Sequence, residues 1–158
     1  VLEIHPEWAP LGAKRFRELL EANYFSDCRF HRVVPGFIVQ WGIPGDPALY
    51  KKFGDNKIRD DPVTVSNGEG TVSFATSGPN ARGSQMFINF GDNRDLDGQG
   101  FAPFAQVVSG MDAVRKLSAA YAERGAGPDQ QTAKDQGNAY LTAKFPKLSY
   151  IKSATIVG

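Results

Sequence analysis

The sequence predicts a mainly β fold, an antiparallel sheet closed into a barrel with two amphipathic helices at its open ends. Short runs of apolar and β-branched residues recur between clusters of Gly, Pro, Asn and Ser, as strands do between turns. The links between the short strands are too short for helical crossovers, so their pairing is antiparallel. Two stretches carry apolar residues at helical spacing with charges between them. Closing the sheet removes its edges, and two helices suit the ends of such a barrel.

The elements follow in order. Residues 1–4 read as a strand, and Pro6 and Pro10 close it and admit a helix. Over residues 11–24, Phe16, Leu19, Leu20 and Tyr24 fall on one helical face. Strands are predicted at 29–33 and 37–41, punctuated by Pro35 and Gly36. Residues 43–62 are rich in Pro, Gly and Asp without sustained period, and form a long surface loop of the kind that is usually functional or mobile. Strands at 71–76 and 85–90 flank the turn formers Ser-Gly-Pro-Asn-Ala-Arg-Gly-Ser. A loop at 92–100 leads to a strand at 104–108. Met111, Val114, Leu117 and Tyr121 then mark the second helix, ending near Gly125. A polar stretch (125–137), a short helix (138–145) and a final strand (150–157) complete the chain.

At 158 residues the chain suits a single domain, 1–158, able to bury roughly 70% of its unfolded surface. It starts at Val1 inside a strand, so a short N-terminal segment is expected to precede it, and the compartment stays open. No apolar run approaches the length of a membrane span. A net charge of +1 selects no polyanionic partner; Lys144, Lys147 and Lys152 read as a solvated face rather than a nucleic-acid footprint. The single cysteine, Cys28, excludes an intrachain disulfide framework and reads as a small buried hydrophobe.

The familiar catalytic constellations are poorly supplied. The two histidines, His5 and His31, lack clustered Cys or acidic partners, so no metal site is expected, and His31 reads as a core histidine hydrogen-bonded to neighbouring backbone. Ser84 lies in a Gly-Ser-Gln turn rather than a strand-to-helix elbow. The acids of 92–100 lack the glycine and glutamate of a calcium loop, and no nucleotide-binding glycine pattern occurs. What stands out is polar side chains in apolar strands. Alternation puts Ile38 and Gln40 on one face of their strand and Gln85 and Phe87 on one face of theirs. If the strands are neighbours, two amides and two apolar groups flank one groove beside Arg32. Pattern alone leaves open whether this is a groove or simply barrel core.

Three stretches, Phe-His-Arg-Val-Val-Pro-Gly-Phe-Ile-Val-Gln-Trp-Gly (30–42), residues 70–90 and residues 96–114, together resemble the cyclophilin family of peptidyl-prolyl isomerases. The resemblance runs from the first helix to the final strand. It implies a closed eight-stranded antiparallel barrel capped by two helices, an isomerase acting on X–Pro bonds without any cofactor, and a role in protein folding. It makes Arg32 the catalytic arginine, with Gln40 orienting the guanidinium. Phe37, Ile38, Phe87 and Leu96 would line the proline pocket, Gln85 would hydrogen-bond near the rotating bond, and Ala75 and Thr76 would form the rim. Residues 77–82 would border an adjoining, less selective subsite. Partners would be proline-containing peptides and client proteins. The alternatives are a proline-segment binding module and a subunit of a larger assembly that uses the 43–62 loop or the 125–149 insertion as its contact surface.

The chain departs from the family at three places. Ile38 stands where many members carry methionine. Asp95 stands where many carry the tryptophan that contacts cyclosporin, which argues against tight cyclosporin binding. The histidine that commonly follows the Leu-Asp-Gly turn is replaced by Gly100 or Phe101, and Phe101 is the residue able to fill the pocket wall.

Overall fold

A computed structural model describes residues 1–157. The chain runs β1 (Leu2–Ile4), α1 (Pro10–Glu21), β2 (Cys28–Arg29), β3 (Arg32–Val34), β4 (Ile38–Trp41), α2 (Pro47–Leu49), β5 (Thr71–Phe74) and β6 (Met86–Asn89). It continues through β7 (Ala105–Val107), α3 (Met111–Arg115), α4 (Gln130–Gln136), α5 (Asn138–Lys144) and β8 (Tyr150–Ile151). A π-helical turn (Tyr50–Gly54) follows α2, and a 3-10 helix (Arg94–Gln99) precedes β7.

The fold is mainly β and its pairing antiparallel, but the expected closed eight-stranded barrel does not form. Six strands make one sheet in the order β1-β7-β5-β6-β4-β3, and β2 and β8 form a separate ribbon. The outer strands β1 and β3 each have a hydrogen-bonded neighbour on one side only, so no seam closes the sheet. Closure needs a continuous ladder whose strands tilt and stagger together. Here the predicted strand 29–33 breaks at Phe30 and His31. Its first part turns aside to pair with β8, and its second part becomes the sheet's edge. The final strand shrinks accordingly: β8 has only the two residues of β2 to pair with, so it ends at Ile151 rather than 157.

Alternation gives the sheet two unlike faces. Val33, Val39, Trp41, Val72, Phe74, Met86, Ile88 and Ala105 point into the main core, where α1 contributes Ala13, Phe16 and Leu19. Phe16 lies 5.2 Å from the Phe104 ring centroid. Helix α1 starts at Pro10, whose missing N–H costs nothing in the first turn. Its next orphan donors, the N–H groups of Leu11 and Gly12, go to the Asp61 carboxylate at 3.1 and 2.8 Å. Asp61 in turn pairs with Arg82 at 3.0 Å, both side chains nearly inaccessible to water. The 43–62 loop is therefore tied down. Ile58 bridges to Arg82, and Asp60 and Asn80 exchange hydrogen bonds between backbone N–H and side-chain oxygen.

The C-terminal half departs most from expectation. The helix predicted through Tyr121 stops at Arg115, because the chain turns to give the Ser118 N–H to the Ser149 hydroxyl at 2.9 Å. The polar stretch 125–137 contains α4, capped by the Asp129 carboxylate accepting from the Thr132 N–H. Ala133 of α4 and Leu141 of α5 form a second, small core with Ile43 and Leu148, against which Tyr121 packs. No helix among the described residues is long and apolar enough to cross a membrane.

Candidate active site

The register answers whether Ile38 and Phe87 belong to the core. Arg32 of β3 faces Gln40 of β4, Gln40 faces Phe87 of β6, and Phe87 faces Ser73 of β5. This row runs across four strands on the side opposite Val39 and Ile88. Ile38 and Phe87 are buried, yet lie outside the main core cluster. They are the floor of a groove of about 340 Å³.

Every residue expected at the site lines that groove. Phe37, Ile38, Phe87 and Leu96 surround its apolar end. There the Phe101 ring meets Phe87 edge to face at 5.6 Å, so Phe101, and not Gly100, takes the wall position. Arg32, Gln40 and Gln85 supply its polar flank, and Ala75 and Thr76 its rim.

The polar groups form a relay with a direction. The Arg32 Nη1 donates to Gln40 Oε1 at 3.2 Å, Gln40 Nε2 to Gln85 Oε1 at 2.8 Å, and Gln85 Nε2 to Gln130 Oε1 at 3.4 Å. A guanidinium has five N–H donors and no acceptor, so Arg32 obliges Gln40 to present its oxygen, and each following amide is oriented in turn. Arg32 is exposed at the sheet edge, and this is its side chain's only hydrogen bond among the described residues. Among the described residues no carboxylate approaches it within salt-bridge distance, so most of its donors stay uncommitted.

A buried network holds the apolar wall. Asn67, fully inaccessible, donates through Nδ2 to Asp97 Oδ1 at 2.7 Å and to the Phe101 carbonyl at 2.9 Å. Its Oδ1 accepts from Ser73 Oγ and Asn89 Nδ2. Asp97 also accepts from Ser66 and from the Asn67 N–H. These hydrogen bonds outweigh its partial desolvation and hold its carboxyl below the usual range. The 3-10 helix that carries Leu96 is thus fastened to the strand that carries Phe87.

His31 sits beside this site without taking part in the relay. Among the described residues neither ring nitrogen has a hydrogen-bond partner, against the expectation of bonds to nearby backbone. Burial pushes its pKa down to about 4, the nearby Gln85 amide, outside hydrogen-bonding geometry, opposes it, and the Arg32 and Lys134 charges add smaller downward pushes. The Ser84 hydroxyl is committed: it accepts from Tyr24 at 2.6 Å and donates to the Gly42 carbonyl at 2.8 Å. Gly42 has φ +115, and a Cβ there would lie 2.1 Å from the Ser84 carbonyl oxygen, so only glycine permits this approach. Cys28 is fully buried elsewhere and its thiol is pushed up to about 12 by burial.

Besides Gly83 and Ser84 just before β6, four groove residues escaped the sequence reading: Tyr50, Lys57, Gln130 and Lys134. The first two lie in the 43–62 loop and the others on α4, and no local spacing connects either segment to β6. Asn67 escaped as well, since a lone Asn before a glycine reads as a turn.

Fold and groove together present an apolar slot beside a guanidinium that has no carboxylate partner among the described residues. Comparison with known proteins identifies the family. The sequence model of the family described as cyclophilin type peptidyl-prolyl cis-trans isomerase matches residues 1–136. The chain is 39% identical over 124 residues to peptidyl-prolyl cis-trans isomerase cypE of Dictyostelium discoideum, covering 75% of this chain and 77% of that protein. It is 34% identical over 122 residues to the human peptidyl-prolyl cis-trans isomerase-like 3, covering 73% of each. A cyclophilin type peptidyl-prolyl cis-trans isomerase of Cryptosporidium parvum, solved in the presence of the dipeptide Ala-Pro, shares the fold with a TM-score of 0.63 at 23% identity. That match covers 80% of this chain and 83% of the other. The chain belongs to the cyclophilin-type peptidyl-prolyl cis-trans isomerases, enzymes of the isomerase class.

Proposed function

We propose that the groove receives proline-containing peptides and client proteins and that Arg32 accelerates rotation about their X–Pro bonds, the whole chain acting as one domain. The observation that carries this reading is the row Arg32–Gln40–Phe87, which sets a charged donor next to an apolar slot on one face of the sheet.

Rotation about a peptide bond sacrifices amide resonance, with a barrier of about 18–20 kcal/mol. No bond breaks, so neither nucleophile nor metal is required. At the twisted geometry the proline nitrogen becomes pyramidal and regains its lone pair. A donor aimed at that nitrogen stabilises the twisted state more than either planar ground state, which is the condition for catalysis. Arg32 has N–H groups to spare for the nitrogen and the neighbouring carbonyl, because only one of its donors is spent on Gln40. Phe37, Ile38, Phe87, Leu96 and Phe101 hold the ring while the preceding carbonyl turns over Gln85, Ala75 and Thr76. They also exclude water around the charge, which strengthens it.

NMR exchange spectroscopy on an Ala-Pro-Phe peptide tests the reading. Catalysed cis–trans exchange with the intact chain, lost with Arg32→Ala, is the expected result; exchange that survives this substitution unchanged overturns the mechanism.

A further inference from the structure

The groove is charged at one end. Among the described residues its lining includes three cations, Arg32, Lys57 and Lys134, and no carboxylate, in a chain whose net charge is only +1. The register orders them. Along β6, Phe87 marks the apolar slot, Gln85 follows, and the chain leads back through Ser84 to Gly83. At Gly83 a Cβ would lie 2.2 Å from the Gly54 carbonyl oxygen and 3.2 Å from Lys57 Nζ, so glycine lets the Lys57 wall close onto the groove. That wall is fixed from below. The buried Arg15 of α1 donates to the carbonyls of Phe53, Asn56 and Gly83 at 3.2, 2.7 and 3.1 Å. Lys57 itself donates to the Gly54 carbonyl at 2.7 Å, which leaves two of its three N–H groups free. Opposite it, α4 brings Gln130 to Gln85 and sets Lys134 Nζ over the Tyr50 ring, 5.4 Å from its centroid.

We propose that the Lys57–Lys134 end of the groove selects proline peptides carrying an anionic side chain on the N-terminal side of the X–Pro pair. This rests on the isomerase reading above, in which the residues before proline lie over Ala75 and Thr76. A ring seated at Phe87 then places the preceding chain towards Gly83 and the two ammonium groups. Partial burial and, next, the Lys134 charge both hold Lys57 below the ordinary lysine range, as two cations facing one unfilled space should do. Asp55, which opposes that shift, is exposed and does not line the groove. A carboxylate entering this end would relieve the repulsion and accept from both lysines.

The test uses the intact chain and four acetylated, amidated peptides: Glu-Ala-Pro-Phe, Ala-Ala-Pro-Phe, Lys-Ala-Pro-Phe and Ala-Ala-Pro-Glu. Catalysed exchange at low salt is expected to be about fivefold faster for the first than the second, since each exposed ion pair is worth up to about fivefold. The lysine peptide should be slowest, and raising the salt should shrink the spread. Substituting both lysines, Lys57→Gln with Lys134→Gln, should bring the Glu-to-Ala ratio near one, and Lys134→Glu alone should reduce it. Equal rates for the Glu, Ala and Lys peptides with ready turnover overturn the charge preference while sparing the isomerase reading. An equal gain from glutamate after proline overturns the placement. Absence of catalysed exchange with every peptide overturns both.

Discussion

Arg32 and Gln40 are cross-strand partners of β3 and β4, and the guanidinium donates to the amide oxygen across that pair at 3.2 Å. The partnership does two things. It holds an exposed, flexible arginine at one place on the groove rim, and it leaves the charge intact because an amide, unlike a carboxylate, does not neutralise it.

Arg32→Ala should lower kcat/KM by about 10- to 160-fold, the equivalent of a charged hydrogen bond of about 1.5–3 kcal/mol made only at the twisted state. The side chain is exposed with one hydrogen bond, so the melting temperature should hardly move. Arg32→Lys should restore little, since a point charge lacks the planar fork. Peptide exchange and thermal unfolding on the same samples check both halves.

Phe87→Ala should weaken ligand binding, because Phe87 is the groove floor and the partner of Phe101. Titration of an Ala-Pro peptide, followed by NMR, should show a lower affinity, and kcat/KM should fall with it. An unchanged affinity and turnover would remove Phe87 from the pocket.

Asn67→Ala leaves donors and acceptors of Ser73, Asn89, Asp97 and Phe101 without their central partner. Each buried group left unpaired costs about 1–3 kcal/mol, so a clear loss in urea midpoint is expected. Catalysis should fall as well, because the Leu96–Phe101 wall loses its fastening to β5 and β6. Asn67→Asp, which keeps an acceptor but sets a like charge against Asp97, should not rescue either property.

His31 gives the protein an acid sensitivity of known sign. Its pKa is about 4 when folded and about 6.5 when unfolded. Between those values the unfolded chain binds more protons, so stability falls as pH drops from neutrality towards 4. The total is about 3 kcal/mol. Urea unfolding at pH 7 and pH 5 should show the loss in the native sequence, and His31→Phe, which cannot titrate, should flatten it.

Much of the site was legible because strands alternate. Ile38 with Gln40, and Gln85 with Phe87, share faces by period two alone, and neighbouring β4 and β6 then bring all four together. What alternation cannot say is which face meets the core; here Val39 and Ile88 win that side. Barrel closure was not legible, because it depends on which strand each edge meets. The break at Phe30–His31, which diverts β2 to β8, leaves no local mark in a run that reads as one strand. Helix α4 escaped because only Ala133 of its residues is buried, so it carries no apolar stripe. The lysines it helps bring together come from segments far apart in sequence, joined only by packing.

The opposite facing of Val39 and Gln40, adjacent in the chain, has a practical meaning for engineering. A library confined to Ile38, Gln85, Lys57 and Lys134 varies what the protein accepts while every core-facing side chain of β4 and β6 stays as it is. Selectivity and foldedness can then be screened as nearly independent traits, with Val39, Gln40 and Trp41 of β4 held constant and Ile38 randomised.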